Sequence, residues 1–298
     1  MTRGEFLKSA GAAAFVAAAG GSFAAGVPNR HAELQKLIDA VKAADYEAYM
    51  DLPRDVARFS HLAFDRLEQA FDKVKREVAE TAVTGKPAVW LVYNMGVVVK
   101  TPQTCFSVDL NHRRAVEMAP FLDFALITHN HDDHYRQDFY RAMNGAHKTV
   151  ISNFMDNYGA RRSDGLAGYT RAEKTFRIKD VEIRTSLTDH NPYLIDFTTA
   201  FEIKVGDFVI YHSGDCSNPQ KLHPQCENPD LWFVHPRCAM RIVDGAKLVN
   251  PKLVVVSHLN ELGHDRWRWS WANGFEDKAS VEAAGYSAVV PLWGDRIA

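Results

Sequence analysis

Between His31 and about Gly85 the apolar residues recur at helical spacing. Leu34, Leu37, Ile38 and Val41 form one stripe; after a break at Pro53, the set Phe64, Leu67, Phe71, Val74 and Val78 forms a second that ends before Gly85. Both stripes predict amphipathic helices that pack by one face. From Pro87 the period shortens. Residues 89–93, 96–100 and 105–109 are short runs of β-branched and aromatic residues, separated by Asn94-Met95 and Pro102-Gln103, which predicts an antiparallel strand meander. Residues 121–128 predict a strand of the fully buried kind. Further strands are expected at 148–152, 181–187, 198–205, 208–212, 231–234 and 253–257, with helices near 137–143, 241–249 and 278–284. No repeat or linker interrupts residues 85–298, so strands with interspersed helices predict an α/β fold of sheets covered by helices.

Composition narrows the class. With 46% apolar residues and a net charge of −2 over 298 residues, the chain is not predominantly disordered and has no basic surplus for gripping a nucleic-acid backbone. Four cysteines are too few for a disulfide scaffold, although Cys216 paired with Cys226 or Cys238 stays open. The amino terminus reads differently. Arg3 and Lys8 flank the start, a weakly apolar run spans residues 10–19, and Ser22-Phe23-Ala24 has the small-x-small form of a signal-peptidase site. Residues 2–8 resemble the twin-arginine export motif, with Gly4 where the second arginine belongs. An exported, periplasmic protein is therefore expected, with a cytoplasmic one if the signal does not function. Removing residues 1–24 takes away Arg3, Glu5 and Lys8 and moves the net charge from −2 to −3. The run is about half the ~20 residues a spanning helix needs, so no membrane insertion is expected.

The sharpest chemistry is Thr128-His129-Asn130-His131-Asp132-Asp133-His134, directly after a predicted buried strand. Three histidines and several carboxylates crowded together need partners for their nitrogens and oxygens, and a metal supplies them. Imidazole and carboxylate suit zinc first, then manganese or iron, and no thiolate in the cluster suggests a closed structural site. His129 and His131 are two apart and can point the same way in an extended turn; Asp133 and His134 point elsewhere and can serve a second ion.

This His-x-His-x-Asp-His spacing resembles the signature of the metallo-β-lactamase superfamily, and the resemblance continues along the chain. Asp109 closes a strand before the signature, His190 stands in Thr-Asp-His-Asn, Asp215 in Ser-Gly-Asp, and His258 follows Leu-Val-Val-Val-Ser. The resemblance implies a four-layer αββα sandwich over residues 86–298; the helical stripes before it read as an extension at 25–85, and the amino-terminal pattern as an export signal at 1–24. It also implies two divalent cations. His129, His131 and His190 would hold the first, Asp133, His134 and His258 the second, and Asp215 would bridge them. A hydroxide between the cations would then cleave an ester, lactone or phosphodiester, with Asp133 and Asp215 in the catalytic machinery. His-Asn-His, with Asn130, looks most like the branch containing ascorbate-6-phosphate lactonase and N-acyl-phosphatidylethanolamine phospholipase D. His264, six residues after His258, is either the last ligand in its place or, with Glu261, a catalytic or substrate group. Asp109 is expected to orient the histidine loop rather than to ligate.

Weaker candidates accompany these. His235 and Arg237 are candidates to meet a small anionic substrate, and His212 reads as a satisfied core histidine. The run Arg266-Trp267-Arg268-Trp269-Ser270-Trp271 offers faces for a substrate groove or for packing on the domain. Arg161-Arg162 is a local basic patch that does not outweigh the acidic mature chain. The competing readings are a di-iron redox enzyme and a non-catalytic metal-binding protein on the same fold.

Overall fold

Along the buried strands successive side chains serve two different cores, and that alternation builds the layers. The structure, a computed structural model, describes residues 27–42, 61–154, 168–169, 173–259 and 270–298. The export signal expected at 1–24, the break at Pro53, Arg161-Arg162, Glu261, His264 and residues 266–269 lie outside the described residues.

One sheet has six strands in the order β1 (Ala88–Tyr93), β2 (Gly96–Lys100), β3 (Cys105–Val108), β4 (Phe124–Leu126), β5 (Thr149–Ser152) and β6 (Gly168–Tyr169). Its first three strands are the expected antiparallel meander, and β3 to β6 run parallel. The second sheet has seven, in the order β13 (Ala288–Val289), β12 (Val254–Val256), β11 (Leu231–Val234), β10 (Phe208–His212), β9 (Thr198–Val205), β8 (Val181–Thr188) and β7 (Lys174–Ile178). Strands β10 to β13 are parallel, while β7 to β10 pair antiparallel.

Val89 and Leu91 of β1, Phe124 and Leu126 of β4, and Leu231 and Phe233 of β11 point between the sheets. Their neighbours Trp90, Val92, Ala125, Trp232 and Val234 point outward and join the helix-facing core. Helix α1 (Val27–Lys42) packs on α2 (Leu62–Glu80), whose Leu67, Phe71, Val74 and Val78 are buried in that core, the stripe seen in the sequence. Helices α3 (Gln137–Gly145), α4 (Ile242–Val249) and α5 (Trp271–Ala283) complete the outer layers. The result is the expected αββα sandwich. Among the described residues no helix is long and apolar enough to cross a membrane.

Several local expectations are corrected. The run at 121–128 is not one strand: a 3-10 helix spans Ala115–Phe121 and β4 begins at Phe124. Pro120 has no N–H to donate to a ladder, and the ladder ends where the Thr128 N–H turns to the Asp109 carboxylate. Helix α5 starts at Trp271, earlier than expected, because Ser270 and Asn273 form a reciprocal cap. Trp271 is consequently buried against Trp293, with ring centroids 5.0 Å apart, and is a core residue rather than a groove wall. Strands β6 and β7 were not expected. The first is only two residues long, and β7 (Lys-Thr-Phe-Arg-Ile) is a mostly polar edge strand with little hydrophobic signal.

Candidate metal centre

Strands β3, β4, β8, β10, β11 and β12 all end at one edge of the sandwich, where the loops carrying Asp109, His129 to His134, His190, Asp215, His235 and His258 converge. Ligands of open α/β sheets collect at carboxyl ends of strands for this reason. Two backbone bonds stitch the sheets together there: Thr199 N–H to the Thr128 carbonyl (2.8 Å) and His258 N–H to the Asn94 carbonyl (3.2 Å).

The centre is built outward from Asp109, which is buried with a left-handed backbone (φ 45°). Its Oδ1 accepts the Thr128 N–H at 2.7 Å; its Oδ2 accepts the Thr128 hydroxyl at 2.7 Å and the His134 Nδ1–H at 2.8 Å. Since the Thr128 hydroxyl hydrogen goes to Asp109, its oxygen is left to accept from His129 Nδ1, 3.0 Å away. One carboxylate thus fixes the tautomers of two histidines, each presenting Nε2 inward. Asp109 is an orienting group, as expected. Around it, Asn94 donates to both the carbonyl and Oδ2 of Asp133 (3.2 Å each), and Asn111 donates to the Asp132 carbonyl (2.6 Å).

The inward-facing donors fall into two groups whose ligand atoms lie within 4.8 Å of one another: His129, His131 and His190, and Asp133, His134, Asp215 and His258. In the first, His190 Nε2 stands 3.1 Å from His131 Nδ1, and the buried Nε2 of His129 has no hydrogen-bond partner. In the second, His134 Nε2 is 3.2 Å from Asp133 Oδ2, 3.2 Å from Asp215 Oδ1 and 3.3 Å from His258 Nε2. Asp215 Oδ2 is 3.4 Å from His258 Nε2 and 3.6 Å from His190 Nε2, so this carboxylate reaches both groups. Its position depends on Gly214 (φ 52°): a Cβ there would lie 2.6 Å from Thr198 Cγ2 and 3.0 Å from Thr128 Cβ.

The groups differ electrostatically. Burial, reinforced by neighbouring histidines, holds His129 and His131 below the usual imidazole range, so both stay neutral. In the second group burial pushes the same way, but the carboxylates win: Asp133, Asp215 and Asp109 hold His134 well above its ordinary pKa, and Asp215 and Asp133 raise His258 to about 9. The carboxyls of Asp133 and Asp215 lie well below the usual range, because the facing imidazoles outweigh the cost of burial.

Every cluster residue singled out in the sequence and present among the described residues therefore meets at this edge, and His258 stands among the donors. His212 is a core histidine, its Nε2 donating to the Met95 carbonyl at 3.0 Å while Nδ1 accepts the Gly214 N–H. Arg237 departs from expectation. Its guanidinium turns to α5, where it meets Asp277 (3.0 Å) and Glu276 (3.3 Å), because those carboxylates offer it a partner away from the centre. All four cysteines are free thiols, and Cys216 donates to the Asn218 carbonyl. Sequence reasoning passed over Asn94, read as a turn, and Phe197, whose ring stands 5.0 Å from His131 and 5.6 Å from His129 as an apolar wall. A third set, Asp215, His235 and Cys238, also lies within 4.8 Å. Two of its members are engaged: Cys238 Sγ lies 3.1 and 3.2 Å from the His190 and Asp215 carbonyls, and His235 Nδ1 accepts the Arg237 N–H.

A family model described as a beta-lactamase superfamily domain matches residues 90–258, the span from β1 to the last histidine of the second group. The chain belongs to the metallo-β-lactamase superfamily. Solved structures of this fold include Igni18, a metallo hydrolase of the archaeon Ignicoccus hospitalis (19% identity, TM-score 0.54, 70% of this chain and 97% of that one). CmlA, a diiron β-hydroxylase from Streptomyces venezuelae, is similar at 15% identity and TM-score 0.53, over 72% of this chain and 54% of its own. An isothiocyanate hydrolase from Delia radicum gut bacteria follows at 14% identity and TM-score 0.50, over 72% and 99%. No curated protein matches the chain. Membership in the metallo-β-lactamase superfamily implies divalent cations, and the two donor groups fit them. The buried Nε2 of His129 is an acceptor without a donor, and the second group crowds carboxylate and imidazole atoms that a cation would separate and satisfy.

Proposed function

We propose that this superfamily member is a metal-dependent hydrolase of a small-molecule ester, lactone or phosphodiester. The observation that carries the reading is the reach of Asp215 into both donor groups, 3.4 Å from His258 Nε2 and 3.6 Å from His190 Nε2. In this reading His129, His131 and His190 hold one divalent cation, Asp133, His134 and His258 the other, and Asp215 is shared. Two such cations supply Lewis-acid polarisation of the scissile group and acidify a water toward neutral pH. The chain's own residues do the rest. Asp109 and Thr128 fix which nitrogens of His129 and His134 face inward, Asn94 fixes Asp133, and Phe197 excludes water from one side. Asp133 and Asp215, buried and ionised, hold negative charge where cations and a reacting proton need it. The His-Asn-His form, with exposed Asn130, supports the lactonase and phosphodiesterase branch over β-lactam cleavage. Export through residues 1–24 belongs to the same reading, as does a substrate role for His264.

The test is metal analysis of purified protein followed by a panel of lactones, esters and bis-p-nitrophenyl phosphate. About two zinc per chain, no visible absorption and turnover on one of these classes is the expected result. Bound iron with oxygen-dependent chemistry would sink the hydrolytic reading in favour of the redox one.

A further inference from the structure

The loop after β11, His235-Pro236-Arg237-Cys238, supplies none of the proposed ligands, yet it touches one histidine of each donor group. Cys238 is buried with Sγ 3.7 Å from His190 Nδ1, the nitrogen opposite the one facing His131 and Asp215. The same sulfur lies 3.1 Å from the His190 carbonyl and 3.2 Å from the Asp215 carbonyl, so its single S–H is shared between the backbones of two site loops. Three residues earlier, the His235 ring stacks on the His258 ring, with centroids 3.9 Å apart and planes 10° from parallel. His258 needs such a lock, because its backbone is left-handed (φ 58°) and its Nε2 must face Asp133 and Asp215.

The loop itself is anchored from outside. Arg237 donates through its guanidinium to Asp277 Oδ2 (3.0 Å), Asp277 Oδ1 (3.2 Å) and Glu276 (3.3 Å) on α5, while its backbone N–H is held by His235 Nδ1 at 3.3 Å. A histidine that ligates a metal ordinarily gives its other ring nitrogen to an orienting partner. For His134 that partner is Asp109, for His129 it is Thr128, and His190 faces the Cys238 sulfur.

We propose that this loop is a positioning element for both cation sites: Cys238 orients His190 of the first group, and His235 orients His258 of the second. This rests on the ligand assignment above. The experiment is chelator-competition titration of the full chain with zinc, supported by the visible spectrum of the cobalt-loaded protein. Wild type should show two binding phases. Cys238→Ala should weaken one about 10–100-fold, the range for loss of an orienting partner, and His235→Ala should weaken the other. Cys238→Ser and His235→Phe, which keep a polar partner and a stacking ring, should recover most of each loss. The decisive arm is a double-mutant cycle: Cys238→Ala in a His190→Ala background, and His235→Ala in a His258→Ala background, should each add nothing. A wild type with no two-phase binding overturns the ligand assignment, and this inference with it. Two phases that the single variants leave untouched, weaken equally, or weaken undiminished in the double-mutant backgrounds, overturn the positioning role alone.

Discussion

The two donor groups are a few ångströms apart and share Asp215, yet they are built on opposite principles. The first is three imidazoles, two of them half-exposed beside Phe197, all oriented by soft partners: a hydroxyl, a thiol and an aromatic face. The second is four fully buried side chains in which two carboxylates and two histidines hold one another. A partly exposed, nitrogen-rich position thus stands beside a buried one that mixes carboxylate and imidazole. The first is partly exposed, and the second is a buried set of opposite charges beside it.

The largest effect should come from breaking the closed group. His134→Ala strands Asp133, Asp215 and Asp109 without their common partner, so chelated protein should lose about 3–5 kcal/mol in urea unfolding and the loaded protein nearly all activity. His131→Ala, on the open side, should remove one cation and nearly all activity while changing the chelated protein's stability by under about 1 kcal/mol. Equal destabilisation by the two variants would erase the contrast. Next is Gly214→Ala, whose Cβ would meet Thr198 and Thr128; displacing Asp215 should weaken both cation affinities together, read by metal content after dialysis. A smaller, separable pair follows. Asp109→Asn should weaken metal binding about 10–100-fold at both groups, since Asp109 reaches His134 directly and His129 through Thr128, whereas Thr128→Val should weaken the first alone.

The gentlest test is pH. His258 titrates near 9 in the chelated fold against about 6.5 unfolded. A raised histidine stabilises fully below its unfolded value and loses that contribution as pH rises through the folded one. Thermal stability of the chelated protein should therefore fall between about pH 6.5 and 9, and zinc loading should abolish the fall by taking the proton's place. Zinc affinity of the second group should rise with pH over the same window, because zinc must displace the proton that His258 holds.

What was legible in the sequence was whatever chemistry is local. His129, His131, Asp133 and His134 lie in one loop, so their crowding shows without any fold. The β1 to β3 meander and the α2 stripe of Leu67, Phe71, Val74 and Val78 show because burial imposes a period. Other features were hidden because they are made by contact. Asn94 reads as a turn until Asp133 is placed against it, Cys238 reads as a disulfide candidate until His190 is, and Arg237 reads as a site cation until Asp277 draws it away. Edge strand β7 carries mostly polar residues, so neither period nor apolarity marks it.

By itself, then, the sequence determined the inventory: which donors exist, that strand ends carry them, and that helices cover sheets. Those properties follow from residue type and periodicity, which act over a few positions. Only the tertiary structure decided the grouping. Residues as distant along the chain as Asp133 and His258 stand 3.0 Å apart because β4 and β12, in different sheets, end at the same edge. The division into a partly exposed imidazole position and a buried position mixing carboxylate and imidazole depends on burial and on who faces whom, and neither is encoded in any single segment.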